Sequence, residues 1–236
     1  MNTPITDRAA RPLWTLLQIS DSAYPTGSYA HSGGLEGAVD IGLLSSPDAA
    51  EPYLFRVFLP SLLFTDVPLV RAAHAAAADA AWEELWAMDE LCHALRATRE
   101  LREASTRVGA QRVALAAATH PSPAMERLAA ALAEGRWKAH APTAFGAVGA
   151  VLGIAAKDTA AGYVYQAVTG AVAALVKLLR IGQTRAQIWI SRLLEECNRR
   201  FDEALETPPA SAGWFAPLTE IASARHETAY TRLFIS

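Results

Sequence analysis

Residues 141–156 read APTAFGAVGAVLGIAA, which is the longest apolar run in the chain. Its glycines recur at three- and four-residue spacing, and small residues at that spacing let another helix backbone approach closely. We interpret the pair Gly149 and Gly153 as ordinary core packing rather than as a membrane contact. The run is shorter than the roughly 20 residues that span a bilayer, and Lys157 with Asp158 ends it. It therefore predicts a buried helix of a soluble protein.

The rest of the chain carries the same helical signal. Alanine makes up roughly a fifth of the sequence, and it has the highest intrinsic helix propensity. Apolar residues recur every three or four positions almost throughout, whereas period-two alternation is nearly absent. The sequence predicts an all-α, single-domain helical bundle with a C-terminal tail. We divide it into a helical core at 1–206, a proline- and glycine-containing linker at 207–217, and a C-terminal amphipathic helix and tail at 218–236.

Prolines and glycines mark the expected breaks between helices. A helix predicted at about 31–41 should end near Gly42. Pro60 should kink or split the next helix, because proline lacks a backbone N–H and clashes with the preceding turn. The stretch 67–97 is helical by composition, with an expected break near Ala80.

Composition and charge restrict the possible partners. The 236 residues are 52% hydrophobic and 19% charged, which supports a sizeable core and excludes disorder. A net charge of -3 without a cluster of lysines or arginines argues against nucleic acid and anionic membranes. Two cysteines, Cys92 and Cys197, make no disulfide framework, and residues 1–8 do not look like a secretory signal. We therefore expect a cytoplasmic protein with no nucleic-acid or membrane partner.

The motifs of common enzymes and metal proteins are missing. The glycine-rich residues 27–34 lack the GK[ST] ending of a P-loop and do not read GxGxxG. No GxSxG elbow and no HExxH pair occurs, so we expect no catalytic residue, no cofactor and no metal site. The alternative is a helical enzyme that uses His31, Ser32 and Glu36 in a cleft. It is disfavoured because His31 and Glu36 are five residues apart and do not share a helix face well.

Several segments are more specific than a plain helical bundle requires. They read PTGSYAHSGGLE at 25–36, ELREAS at 100–105, HAPTAFG at 140–146, GQTRAQ at 182–187 and HETAYTRLFIS at 226–236. In order and spacing these segments resemble the urease accessory protein UreF family along nearly the whole chain.

The resemblance implies an all-α accessory protein without catalytic activity, usually a homodimer. Such a protein joins the chaperone UreD, also called UreH, and the GTPase UreG on the urease apoprotein. The assembly supports GTP-dependent nickel insertion into the urease active site. GTP would be bound by UreG and nickel would end in urease, which agrees with the missing motifs for both in this sequence.

The matching motifs supply the candidate partner-binding residues. They are Tyr29, His31, Glu36, Gln183, Gln187, His226, Glu227, Tyr230, Arg232 and Phe234. For the first motif, a buried turn with Ser32 or His31 capping the next helix is an equally good interpretation. For the two glutamines we favour a helix start whose amides bind nearby backbone, and for Arg232 an intramolecular cap is the alternative to docking. Because the segment from about Leu218 comes after a proline-glycine linker, we expect loose packing there until a partner binds.

Overall fold

The structure, a computed structural model, describes residues 10–227, 229 and 232–235. This part of the chain is helical and contains no strand, so the predicted all-α class is confirmed. Short 3-10 turns lie at Ser28–Ala30 and Pro209–Ser211. The α-helices are α1 Ala10–Ser20, α2 Leu35–Asp40, α3 Pro47–Tyr53, α4 Leu59–Ser61, α5 Val67–Ala78, α6 Trp82–Leu95, α7 Arg99–Thr119, α8 Pro123–Ala133, α9 Ala141–Val151, α10 Ala156–Leu179, α11 Gln183–Glu206 and α12 Pro217–His226.

Two hydrophobic clusters form the core, and α5 and α9 contribute to both. The larger cluster takes further residues from α1 to α4 and from α10 to α12. The smaller cluster takes its other residues from α6, α7, α8 and the segment between α8 and α9. The crossing of α5 and α9 therefore joins the two halves of the bundle.

Gly146 is the contact point of that crossing. A Cβ atom built on Gly146 would lie 2.2 Å from the carbonyl oxygen of Val70, far inside van der Waals contact. The pair Gly149 and Gly153, which the sequence singled out, does not form one contact surface. Gly149 faces Thr159, whereas Gly153 has a φ of +72° and lies beyond the end of α9. The apolar run thus supplies a tightly packed helix that is shorter than the run itself.

Pro60 does not split its helix. The chain is helical without interruption over Pro47–Ala78, with two widened π-helical segments at Leu54–Phe58 and Leu62–Asp66. A proline ring clashes with the carbonyl four residues earlier, and a widened turn relieves that clash while the helix continues. The break near Ala80 is confirmed, since Ala80 has a φ of 54° between α5 and α6.

The helix predicted at about 31–41 is shorter than expected. It begins only at Leu35 because Gly33 and Gly34 have φ values of +64° and +89°, in the left-handed region. Glycine adopts this region without steric cost, and an α-helix cannot contain it. Residues 31–34 are therefore a turn that leads into α2.

Two helices have the length and apolar composition to cross a membrane. They are Pro47–Ala78 and Ala156–Leu179, and 56% and 44% of their most apolar stretches are buried in the fold. Core helices of soluble proteins show the same combination. Length and composition are thus weak evidence for a membrane span here.

The described part of the C-terminal segment is packed, which corrects the expectation of loose packing. Pro68 has no N–H to offer the carbonyl of Phe64, and the N–H of Gly213 donates to that carbonyl instead at 2.9 Å. Trp214 stacks on the Phe64 ring, with centroids 6.1 Å apart. Beyond this anchor, α12 packs against α2. The proline-glycine segment is therefore fixed to the helix Pro47–Ala78 through the carbonyl of Phe64, to which Pro68 offers no N–H.

The packing of Gly146 gives a test of the α5–α9 crossing. Gly146→Ala should lower the free energy of unfolding by at least about 2 kcal/mol, because the methyl group would overlap a backbone oxygen. Gly170 in α10 has no heavy atom within 4 Å of its built Cβ. Gly170→Ala should therefore be neutral or stabilise by about 0.5–1 kcal/mol through helix propensity. Urea denaturation of both variants measures the difference, and equal effects would contradict the close approach.

Candidate functional site

Three segments that are far apart in the sequence meet at one place in the fold. They are the turn at 25–36 with the start of α2, the first turn of α7, and the chain from α12 to residue 235. The segment at 182–187 does not join them. The first and last of the motifs that carry candidate residues are thus brought together, with α7 between them.

A buried imidazole lies at the centre of this junction. His226 Nε2 is 2.9 Å from Glu36 Oε2, and His226 Nδ1 is 2.9 Å from Glu100 Oε1. The His226 side chain is only 1% exposed, and both carboxylates are buried as well. A neutral imidazole has one N–H, so satisfying both contacts takes one additional proton on the three groups. The cluster is therefore a charge-assisted, water-excluded link between α2, α7 and α12.

Glu36 also holds the last described residues. Its carboxylate accepts the N–H of Leu233 at 2.6 Å and the N–H of Phe234 at 2.8 Å. The N–H of Ile235 donates to the carbonyl of Ala30 at 2.8 Å, so the C-terminal backbone lies along the turn at 25–36. Phe234 is buried, with Lys177 Nζ 5.3 Å from its ring centroid. One carboxylate thus fixes both the imidazole and the backbone of the tail.

A glycine allows the close approach of α12 to α2. A Cβ atom built on Gly37 would lie 2.3 Å from the carbonyl oxygen of Ala222 and 3.1 Å from His226 Cβ. Thr98 Oγ1 and Ser223 Oγ are 3.0 Å apart and join α12 to the N-cap of α7. The missing side chain of Gly37 is therefore what lets His226 reach Glu36.

Two arginines lie at the edge of the cluster. Arg232 Nη1 is 3.6 Å from Glu100 Oε1, and Arg232 also donates to the carbonyl oxygen of Glu227. Arg99 forms an ion pair with the Glu227 carboxylate. Arg232 thus has the intramolecular contacts of a cap, while its side chain remains 34% exposed.

Six large hydrophobic side chains are exposed in the turn at 25–36 and in the chain from residue 215 to 235, and we call them the C-terminal apolar surface. Its members are Tyr29, Phe215, Leu218, Ile221, Leu233 and Ile235. Tyr29 is 71% exposed, and the carbonyl of the next residue, Ala30, accepts the N–H of Ile235. Leu218 and Ile221 are three residues apart and so lie on one face of α12. Large hydrophobic side chains that stay exposed in segments meeting at one place in the fold are candidates for a protein-binding site.

The remaining candidate residues have more varied environments. His31 is half-buried, and burial together with the charge of Arg107 lowers its pKa. Gln183 and Gln187 are exposed in the first two turns of α11. Tyr230 lies outside the described residues.

The sequence did not identify Glu100 and Arg99 as site residues. Glu100 belongs to a quoted motif, and Thr98 before it is the N-cap of α7, its side chain accepting the N–H of Leu101 at 3.3 Å. Nothing in the local pattern distinguishes a carboxylate in the first turn of a helix from one that binds a distant imidazole.

The geometry gives no support to the alternative of a catalytic site at His31, Ser32 and Glu36. Ser32 Oγ accepts the backbone N–H of Glu36 at 3.2 Å, which is a helix-capping contact. The Glu36 carboxylate is occupied by His226 and the tail backbone. Within the part of the chain described, no group of three or more His, Cys, Asp or Glu side chains could hold a metal ion.

The chain is similar to one protein family over most of its length. The UreF family profile matches residues 44–194. The urease accessory protein UreF of Granulibacter bethesdensis is 33% identical over 233 residues, which cover 99% of this chain and 98% of that protein. The UreF of Klebsiella pneumoniae subsp. pneumoniae is 35% identical over 227 residues, covering 94% and 96%. The UreF of Pseudomonas fluorescens is 31% identical over 225 residues, covering 95% and 99%.

The Glu36 contacts can be tested through the tail backbone. Glu36→Gln replaces one acceptor oxygen with an N–H₂ group that faces backbone donors, so it should loosen the last described residues. We expect hydrogen-exchange protection of the Leu233 and Phe234 amides to fall by on the order of tenfold or more. Glu220→Gln changes an exposed carboxylate on α12 and serves as the control. Unchanged protection in Glu36→Gln would mean that Glu36 does not hold the tail.

Proposed function

This chain belongs to the UreF family of urease accessory proteins, and we propose that it acts in urease maturation as a scaffold without catalytic activity of its own. In this role it joins UreD (UreH) and the GTPase UreG on the urease apoprotein and supports GTP-dependent nickel insertion. We place this assembly in the cytoplasm. The observation that carries the proposal is the buried Glu36–His226–Glu100 cluster, which fixes an exposed apolar surface.

The apolar surface has the features of a docking site. The cluster beneath it ties the turn at 25–36 to the last described residues, so the surface is ordered before a partner arrives. Pre-organisation of this kind reduces the entropy lost on binding. Tyr29, Leu233 and Ile235, which belong to this surface, have exposed side chains. A partner can therefore bury large hydrophobic side chains here without first folding the tail.

Charged groups at the rim would orient the partner. Arg232 is partly exposed although its guanidinium contacts Glu227 and Glu100. Arg99 is exposed in its ion pair with Glu227. Exposed ion pairs contribute little to stability, so these arginines can exchange their contacts for a carboxylate of the partner at small cost. We propose UreD as the protein that docks here.

A second exposed apolar face supports the proposed homodimer. Leu13, Trp14 and Leu17 are all more than half exposed on one side of α1. A second copy of the chain could cover this face without competing for the C-terminal apolar surface. Sizing of the purified protein with and without Trp14→Glu tests this arrangement.

The scaffold role gives a sharp prediction for binding. Ile221→Asp places a charge on the C-terminal apolar surface at a residue that is 51% exposed, so it should weaken UreD binding by at least about tenfold with little change in melting temperature. Tyr165→Asp is the matched control, because Tyr165 is 47% exposed on α10. Tyr165 also lies about 18 Å along that helix from Lys177, which contacts Phe234.

Co-purification of each variant with UreD and UreG, followed by sizing and a urease activation assay, measures the effect. Deleting the tail is a poor substitute for these point variants, because it would remove His226 and expose two buried carboxylates. If Ile221→Asp and Tyr165→Asp bind UreD equally well, the C-terminal apolar surface is not the docking site.

The accessory role also predicts what the isolated chain does not do. We expect no GTP hydrolysis by the purified protein and no submicromolar nickel site, because the sequence has no P-loop and no convergent ligand set. A GTPase assay and nickel titration by calorimetry, each with wild-type protein and His226→Gln, measure both. GTP turnover by the pure protein, or a submicromolar nickel site that survives in His226→Gln, would contradict the proposal.

A further inference from the structure

A cleft of about 500 Å³ opens on the other side of Arg99, between the end of α6, the first two turns of α7 and the segment after α8. Its lining residues are His93, Arg99, Arg102, Glu103, Thr106, Gly135, Trp137 and Lys138. Three of them are cationic and one is a carboxylate. None of the ten candidate partner-binding residues lines this cleft, and Arg99 is the one residue that it shares with the rim of the site described above.

Among the described residues, Arg102 is the charged lining group of the cleft that lacks a counter-ion. Its Nη1 donates to the carbonyl oxygens of Arg96 at 2.7 Å and Ala97 at 2.8 Å, which holds the guanidinium in one orientation. Among the described residues no carboxylate lies within 4 Å of it, and its Nε and Nη2 groups have no hydrogen-bond partner there. A guanidinium that is fixed along one edge and unpaired along the other is pre-organised for an anion with two acceptor oxygens.

The other cations of the cleft are held only loosely. Lys138 pairs with Glu90, and Arg99 is shared between Glu227 and Glu103. All these pairs are substantially exposed, so each is worth little and can rearrange toward a ligand. Glu103 is the one acidic lining residue, and Arg107 on the next turn of α7 also contacts it.

A histidine pair lies at the same cleft. His93 Nδ1 is 3.0 Å from Nε2 of His140, whose side chain is fully buried and whose Nδ1 has no partner within the described structure. Burial and nearby cations lower the pKa of His140 to about 3, so that ring is neutral. Its proton belongs on Nε2, because a buried N–H without a partner on Nδ1 would be costlier than a bare lone pair. His93 then accepts at Nδ1 and carries its own proton on Nε2.

We propose that this cleft is an oxyanion-binding site that takes a carboxylate or phosphate group, with Arg102 as the main charged contact and the Nε2–H of His93 as a further donor. Arg99 and Lys138 supply additional charge at the entrance. The indole N–H of Trp137, which is buried in the cleft wall and has no partner among the described residues, reports on occupancy. The inference does not depend on the scaffold role, since the site would bind a free anion in the isolated protein.

Two probes test the site and distinguish its ligand. The full chain is titrated with inorganic phosphate and separately with N-acetylglutamate at constant ionic strength, and the Trp indole N–H signals are followed by NMR. We expect the Trp137 signal to shift saturably with at least one probe, and Arg102→Gln to weaken that binding by about tenfold or more. Saturation by phosphate alone assigns a phosphate ligand, and saturation by N-acetylglutamate assigns a carboxylate. Arg199→Gln is the control, because Arg199 is an exposed arginine of α11 paired only with Glu195 and Glu196 among the described residues.

A second cleft variant keeps the proposal testable if Arg102→Gln does not fold. Lys138→Gln removes an exposed charge from the cleft and should weaken binding by about threefold with no loss of stability. The proposal is overturned if neither probe shifts the Trp137 signal saturably, or if the folded cleft variants bind as tightly as Arg199→Gln. Loss of UreD binding in Ile221→Asp without any change in anion binding would show that the two sites are independent.

Discussion

The contact on which the rest of the site depends is the imidazole of His226 between the carboxylates of Glu36 and Glu100. Two buried carboxylates in one place are strongly unfavourable unless a cationic or donor group lies between them. His226 supplies that group, with 2.9 Å contacts on both ring nitrogens. It also arrives on α12, so the helix must pack where the carboxylates are. The order of the tail, the exposure of the apolar surface and the positions of the rim arginines all depend on this single arrangement.

The sequence predicted the features that depend on local chemistry. The helical class was evident from alanine content and from three- and four-residue periodicity, and the break at Ala80 was found between two helices. Of the two outcomes predicted for Pro60, a kink or a split, the split does not occur, because widened turns at Leu54–Phe58 and Leu62–Asp66 let the helix continue. The contact of Gly146 with Val70 could not be assigned, since several small residues in the run were equally suitable. Which glycine meets which neighbour depends on the position of a helix far away in the sequence.

The site was predictable to the extent that its residues carry motifs. Glu36 and His226 stood in the first and last motifs, and the structure brings them into contact. Glu100 was not chosen as a site residue because its contact is with His226, 126 positions away in the sequence. The loose tail was expected because a proline-glycine stretch normally detaches the segment after it. In this fold the carbonyl of Phe64, to which Pro68 can offer no N–H, accepts the N–H of Gly213, and this contact fixes the start of the segment.

The sequence separation within the cluster has a consequence during synthesis. Glu36 and His226 are 190 positions apart, so at 5–20 residues per second roughly 10–40 s pass between their appearance at the ribosome. For much of that interval α2 and the start of α7 have been synthesised but His226 has not. Without its imidazole, the carboxylates of Glu36 and Glu100 cannot be buried favourably. The smaller hydrophobic cluster can form earlier, because none of its residues comes from α12. The nascent chain should therefore fold from its middle outward and close the pairing of its first and last motifs only after the final helix has emerged.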